Sequence, residues 1–209
     1  MVQVMVFGHS IAQGFWDPEG GWVQKLRKDL DTRSLENEDE YHEVFNLGVS
    51  GNDSEQVLER FQPELEARRW DEVELVVIFE VGANDIHYLN EEDRIRVPRE
   101  EFEENLRELI KRAKEYTDRV MVIGELYTTI EGPIPWAEEK EVSDERLGKY
   151  VETQREVCDE MDVPFVDLRS DLSKEEWSEM LEDGSHPDSR GHKKIYELVS
   201  ERLDGEGFV

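Results

Sequence analysis

The chain has 209 residues, 53 of them Asp or Glu and 25 Lys or Arg, for a net charge of −28 with its five histidines neutral. That balance excludes a surface built to grip nucleic-acid phosphates or anionic lipid headgroups, since the acids repel both. Hydrophobic residues make up 37%, enough for one globular domain over 1–209, and no apolar run approaches the roughly 20 residues of a membrane-spanning helix.

The acids are spread along the whole chain rather than gathered in a tail. Such a protein repels itself in dilute buffer. In molar salt the Debye length falls to about 3 Å and the repulsion is screened, so the expectation is a halophile's protein folded for high salt. The single cysteine, Cys158 in "REVCDEM", excludes an internal disulfide, and a buried, inert thiol on a helix is expected. The first apolar stretch, 2–7, is too short for a signal-peptide core, which points to a cytoplasmic protein.

In chain order, "VQVMVF" (2–7) reads as a buried strand and "GWVQKLRKDLD" (21–31) as a helix. The next strand is "EVFNLGV" (43–49). The helix "NDSEQVLERFQPELEAR" (52–68) opens on a capping pattern of Asn52 with Glu55, and Pro63 is expected to kink or shorten it. "VELVVIFEV" (73–81) is nearly all apolar, as in a strand covered on both faces. Pro98 opens a helix over 99–116 with Phe102, Leu106, Leu109, Ile110 and Ala113 along one stripe. A strand follows at 119–126, a helix at 143–161, a strand at 163–168, a short helix at 173–181 and a last helix at 188–203.

Five strands separated by helices predict a parallel sheet between two helical layers, an α/β/α sandwich of flavodoxin-like strand order 2-1-3-4-5. Two long loops, 86–97 and 127–142, follow the third and fourth strands. They fall at the carboxyl edge, where open α/β sheets bind ligands.

Three strand ends carry glycine beside a polar residue: "FGHSIAQG" (7–14), "NLGVSGNDS" (46–54) and "VGANDI" (81–86). In order 2-1-3 these strands are neighbours, so Ser10, Gly51 and Asn84 converge on one crevice. Ser10 would open a helix, Gly51 has no side chain to screen its amide, and the Asn84 amide donates two hydrogen bonds. Three donors facing one point are what a developing oxyanion needs. A base is available in "DGSHP" (183–187): Asp183 is three residues from His186, close enough to orient the imidazole, and Pro187 stiffens the backbone there.

These four blocks, in this order and spanning Gly8 to Pro187, resemble the SGNH hydrolases, also called GDSL-type esterases and lipases. The resemblance implies the same flavodoxin-like sandwich and no cofactor or metal. It implies Ser10 as nucleophile, His186 as base, Asp183 as its partner, and an oxyanion hole made by the amides of Ser10 and Gly51 with the Asn84 side chain. One position departs from the pattern: the family usually carries aspartate before the nucleophile, and this chain has His9. A structural role is expected for it, because adjacent residues on a turn point apart.

Several other residues have a plainer reading. Ser50 is a rival nucleophile but lacks the Gly-x-Ser-x-Gly elbow and is expected to support the oxyanion loop. Asp53 and Ser54 read as helix caps and Asp85 as a loop anchor. His192 reads as structural, His42 as exposed, and His87 as a surface loop residue with substrate contact as the minority reading. A metal site formed by Asp183, His186 and His192 has no familiar ligand spacing behind it. Trp16, His87, Tyr88, Tyr127 and Trp136, with Ile130, fall on the loops above the site and are candidates to line a substrate pocket, and Glu125 is a candidate hydrogen-bond partner within it. The expected substrate is a small-molecule ester with a short acyl chain. Alternatives are a carbohydrate O-acetylester, a thioester or lysophospholipid, or, outside catalysis, a binding module that kept the fold and lost the chemistry.

Overall fold

The structure, a computed structural model, describes residues 1–37 and 40–209. Five parallel strands form the central sheet: β1 (Val2–Gly8), β2 (His42–Gly48), β3 (Glu74–Glu80), β6 (Val120–Ile123) and β9 (Phe165–Val166), in the order β2-β1-β3-β6-β9. This is the expected 2-1-3-4-5 order. β1 lies in register with both neighbours, Phe7 opposite Leu47 on one side and Phe79 on the other.

Alternation along the strands explains the two cores. Met5, Phe7, Val77, Phe79, Val120 and Val122 face one side, against α3 (Ser54–Glu66), α4 (Arg99–Lys114) and α5 (Asp144–Met161). Val4, Val6, Val76, Ile78, Met121 and Ile123 face the other, against α2 (Gly21–Glu36) and α8 (Ser189–Gly205). Each strand is apolar on both faces because helices cover both. Cys158 is buried in the first core, and burial pushes its thiol up to about 12. The remaining helices are short: α1 (Ser10–Gln13), α6 (Leu168–Asp171) and α7 (Lys174–Ser178).

Several elements differ from expectation. The α3 cap is one residue later than predicted: Asp53 accepts from the Gln56 amide and Gln56 reaches back, a capping box. Pro63 neither ends nor shortens α3, which continues to Glu66. The last strand pairs over only two residues, since Asp167 caps α6 immediately afterwards. His42 is buried in β2, not exposed.

The largest difference is in the two long loops. They pair into a second, antiparallel sheet of order β5-β4-β8-β7, built from β4 (Tyr88–Leu89), β5 (Arg94–Ile95), β7 (Gly132–Ile134) and β8 (Ala137–Val142). Tyr88 pairs with Ile95 within its own loop and with Glu141, 53 residues further on, so the two loops hold each other in place. Among the described residues no helix is long and apolar enough to cross a membrane.

Candidate active site

β1 ends at Gly8, and the chain turns at once into α1, whose first residue is Ser10. His9 is the N-cap: its Nδ1 faces the Ile11 amide at 3.3 Å. α1 ends at Gly14, whose φ of 96° is open to glycine; a Cβ there would lie 2.4 Å from the Gly20 carbonyl oxygen. The turn is thereby pinned against the start of α2.

Ser10 Oγ lies 2.8 Å from His186 Nε2, although 176 residues separate them. The other ring nitrogen, Nδ1, lies 2.8 Å from Asp183 Oδ2. Asp183 Oδ1 accepts from the amides of Ser185 and His186, which fixes the carboxylate relative to the ring. Trp16 adds a further donor: its indole Nε1–H gives a 2.7 Å bond to Asp183 Oδ2. Burial alone would raise the pKa of Asp183, but the bonds from His186 and from Trp16 hold it to about 2. With a carboxylate at Nδ1, the Nδ1–H tautomer is favoured and the Nε2 lone pair faces the serine hydroxyl.

On the opposite side stand Gly51 and Asn84. Gly51 has φ 80° and no atom within 4 Å of where a Cβ would lie, so the space before its amide is open. The Asn84 Nδ2 donates to the Asn52 carbonyl at 2.9 Å. That bond orients the amide and leaves its second N–H for a ligand. Ser10, Gly51, Asn84 and His186 together line one cleft of about 450 Å³.

The site stands on a buried polar cluster. His9 Nε2 lies 2.9 Å from Glu125 Oε1, with Glu80 and Asp85 nearby. Burial opposes a charge on His9, but Glu125, Glu80 and Asp85 outweigh it and push the imidazole up to about 9. A charged ring competes with the Ile11 amide for Nδ1. The charge is the stronger demand, because the Glu125 carboxylate bonds Nε2 at 2.9 Å whereas the Ile11 contact is long. Burial pushes Glu80 up to about 8 and Asp85 up to about 7, the latter despite bonds from the Ser54 amide and hydroxyl. His9 therefore points down into the fold while Ser10 points into the cleft, the structural role expected for it.

The predicted rim residues divide. His87, Ile130 and Trp136 line the cleft. His87 is mostly buried there, not on the surface, and its Nδ1 is buried with no partner. Burial, then Arg96 and Lys140, push its pKa down to about 3, so the ring is neutral. Trp136 is 53% exposed, with its ring centroid 5.8 Å from that of His186. Trp16, Tyr88 and Tyr127 do not line the cleft. Trp16 is turned onto Asp183, the Tyr88 hydroxyl bonds Asp93, and Tyr127 stacks beneath the Arg169 guanidinium, 4.4 Å from its ring centre.

Sequence reasoning missed Phe15, Arg96 and Lys140, which also line the cleft. Phe15 packs 5.3 Å from the His186 ring, and its carbonyl faces His192 Nε2 at 2.9 Å. His192, whose Nδ1 also takes the Trp22 amide, thus ties α8 to the turn after Ser10 and is structural as expected. A signal was available for Phe15: an aromatic one residue past the glycine that closes "SIAQG". Among the described residues no group of three or more metal-ligating side chains converges on a point.

The chain resembles several solved structures along nearly its whole length. One is a lipase/acylhydrolase from Enterococcus faecalis, 23% identical, with a TM-score of 0.74 over 99% of this chain and 97% of that one. Another is an acetyl xylan esterase, 21% identical, with a TM-score of 0.74 over 96% and 99%. A third is an acetylxylan esterase from Geobacillus stearothermophilus, 18% identical, with a TM-score of 0.70 over 96% and 93%. At these identities the likeness speaks to the fold. No curated protein matches the chain in sequence. The family of GDSL-like lipases and acylhydrolases matches residues 6–194. With nine-tenths of its length in that match, and with the family's sheet order, the chain belongs to the GDSL-like lipase/acylhydrolase family.

Proposed function

We propose that the protein is a serine ester hydrolase that works through an acyl-enzyme. The observation that carries this reading is the unbroken hydrogen-bonded chain from Ser10 Oγ through His186 to Asp183, with 2.8 Å at each link. His186 Nε2 takes the hydroxyl proton as Oγ attacks the ester carbonyl carbon. The carbonyl electron pair moves onto oxygen, where the amides of Ser10 and Gly51 and the Asn84 side chain hold the charge. The oxyanion collapses, the C–O bond to the alcohol breaks, and the imidazolium returns its proton to the departing alkoxide. Water then adds to the acyl-serine by the same route, releasing the acid and restoring Ser10. Asp183, held as a carboxylate, stabilises the imidazolium in both halves.

The cleft volume and its cover of Phe15, Ile130 and Trp136 favour short acyl groups. A second reading, an O-acetylated carbohydrate as substrate, is favoured by the exposed Trp136 ring at the mouth, a flat surface on which a sugar can stack. Acetyl release from acetylated xylan, compared with a simple alkyl acetate and an acyl thioester, ranks these substrates.

The test is hydrolysis of p-nitrophenyl acetate and butyrate in molar KCl. Turnover is expected for the native chain and lost in Ser10→Ala, and undiminished turnover in that variant would defeat the assignment. Labelling of Ser10 by a fluorophosphonate separates an enzyme from an inactive binding module.

A further inference from the structure

In a chain with 53 acidic residues, the walls of this cleft contain no Asp or Glu among the described residues. Their basic residues are Arg96, Lys140 and His9, with the neutral His87 and the base His186, and His9 is spent on Glu125. Arg96 is committed, with its Nε 2.6 Å from Asp53 Oδ2 and one amino group on Gln56. Lys140 is not. Its one ion pair among the described residues is with Glu139 at 3.8 Å, beyond hydrogen-bond length and on a largely exposed carboxylate. The His87 Nδ1 is likewise without a partner.

The strand that carries Lys140 shows how it comes to face the cleft. Residues two apart on a strand share a face. Ala137, Lys140 and Val142 of β8 line the cleft, whereas the neighbouring Glu138, Glu139 and Glu141 do not. The carboxyl groups beneath the floor do not cancel the ammonium. Glu125 is paired with His9, Glu80 holds its proton to about pH 8, and Asp53 is paired with Arg96. An ammonium with unspent donors in an otherwise acid-free hollow is a recognition group for an anion.

We infer that the ester taken by this site carries a carboxylate, on its acyl or its alcohol part, and that Lys140 is the residue that binds it. This rests on the ester-hydrolase reading and names the substrate class for the same site. A carboxylate within hydrogen-bond distance of the ammonium is screened by salt less than a distant surface pair, so the preference survives the ionic strength that an acidic chain requires.

The experiment is binding by calorimetry to Ser10→Ala protein, which turns nothing over. The ligands are monoethyl succinate, with its charge on the acyl part, 2-acetoxypropanoate, with its charge on the alcohol part, and diethyl succinate, which is neutral. At least one charged ester is expected to bind roughly tenfold tighter than the neutral one, and which one does so locates the carboxylate. Adding Lys140→Met is expected to abolish the advantage, Lys140→Glu to invert it, and Lys140→Arg to retain it, which shows that the altered chains still fold. Equal binding of charged and neutral esters, or an advantage that persists in Lys140→Met, overturns the inference. Failure of the underlying reading looks different: the charged ester binds through Lys140, yet native protein cleaves no ester at all.

Discussion

The indole N–H of Trp16 donates to Oδ2 of Asp183 at 2.7 Å, the same oxygen that faces His186 Nδ1 at 2.8 Å. Trp16 holds this position with φ 65°, in the left-handed region that bulky side chains rarely adopt. Hydrogen bonds to charged groups contribute about 1.5–3 kcal/mol when buried, and Trp16 is 54% exposed, so the lower end applies. Trp16→Phe is expected to lower kcat for p-nitrophenyl acetate roughly three- to tenfold. An unchanged kcat would show that the contact does not position Asp183 and His186.

Asn84 has one N–H fixed on the Asn52 carbonyl and one left to meet the oxyanion. Asn84→Ala is expected to lower kcat by about 10²–10³ with KM nearly unchanged, because the bond forms fully only in the transition state. Initial-rate kinetics on p-nitrophenyl butyrate check this. A loss confined to KM would remove Asn84 from the oxyanion hole.

The buried groups under the nucleophile make stability depend on pH. Glu80, Asp85 and His9 are all raised, from 4.5, 3.8 and 6.5 to about 8, 7 and 9. Each binds its proton more tightly folded than unfolded, so its contribution is complete below the unfolded value and fades as pH climbs to the folded one. Asp17 and Asp183 are lowered from 3.8 to about 2, and their contribution is lost as pH falls through that window. Tm is therefore expected to peak near pH 4–6 and to drop by pH 9, by roughly 4–8 °C for about 2 kcal/mol. Glu80→Gln, which stays neutral, is expected to flatten the alkaline limb. Calorimetry across this range checks it, and a level Tm from pH 5.5 to 9 contradicts it.

A net charge of −28 spread over the whole chain predicts salt-dependent folding. Tm is expected to rise steadily as KCl goes from about 0.1 M to about 2 M, as screening shortens the range of the repulsion. A melting curve that is flat or falls over that interval removes the case for a high-salt protein.

The local and periodic features were legible in the sequence. The unbroken apolar run of 73–81 announced a strand covered on both faces, and the stripe from Phe102 to Ala113 announced a helix with one buried side. Glycines at the strand ends marked turns, and the spacing of Asp183 and His186 marked a local pair that one turn of chain suffices to build. What the sequence by itself determined is thus the long helices, the five strands of the main sheet with their parallel arrangement, and the residues at that sheet's carboxyl edge.

The tertiary structure decided the rest, because the deciding contacts join residues distant in the chain. β4, β5 and β7 are two or three residues long and carry no period of their own; they exist because β8 pairs with β7 on one side and with Tyr88 of β4 on the other, and β4 in turn with β5. Trp16 reads as a loop aromatic until the fold brings Asp183, 167 residues away, to its indole. His9 and Glu125, 116 residues apart, become a buried ion pair only when the segments after β1 and β6 meet across the end of β3. Lys140 lies in a run of glutamates, and only the fold sets it, and not those acids, on the wall of the cleft. Hydrophobic period and turn chemistry act over a few residues, whereas burial, and with it charge and specificity, is set by what the folded chain packs overhead.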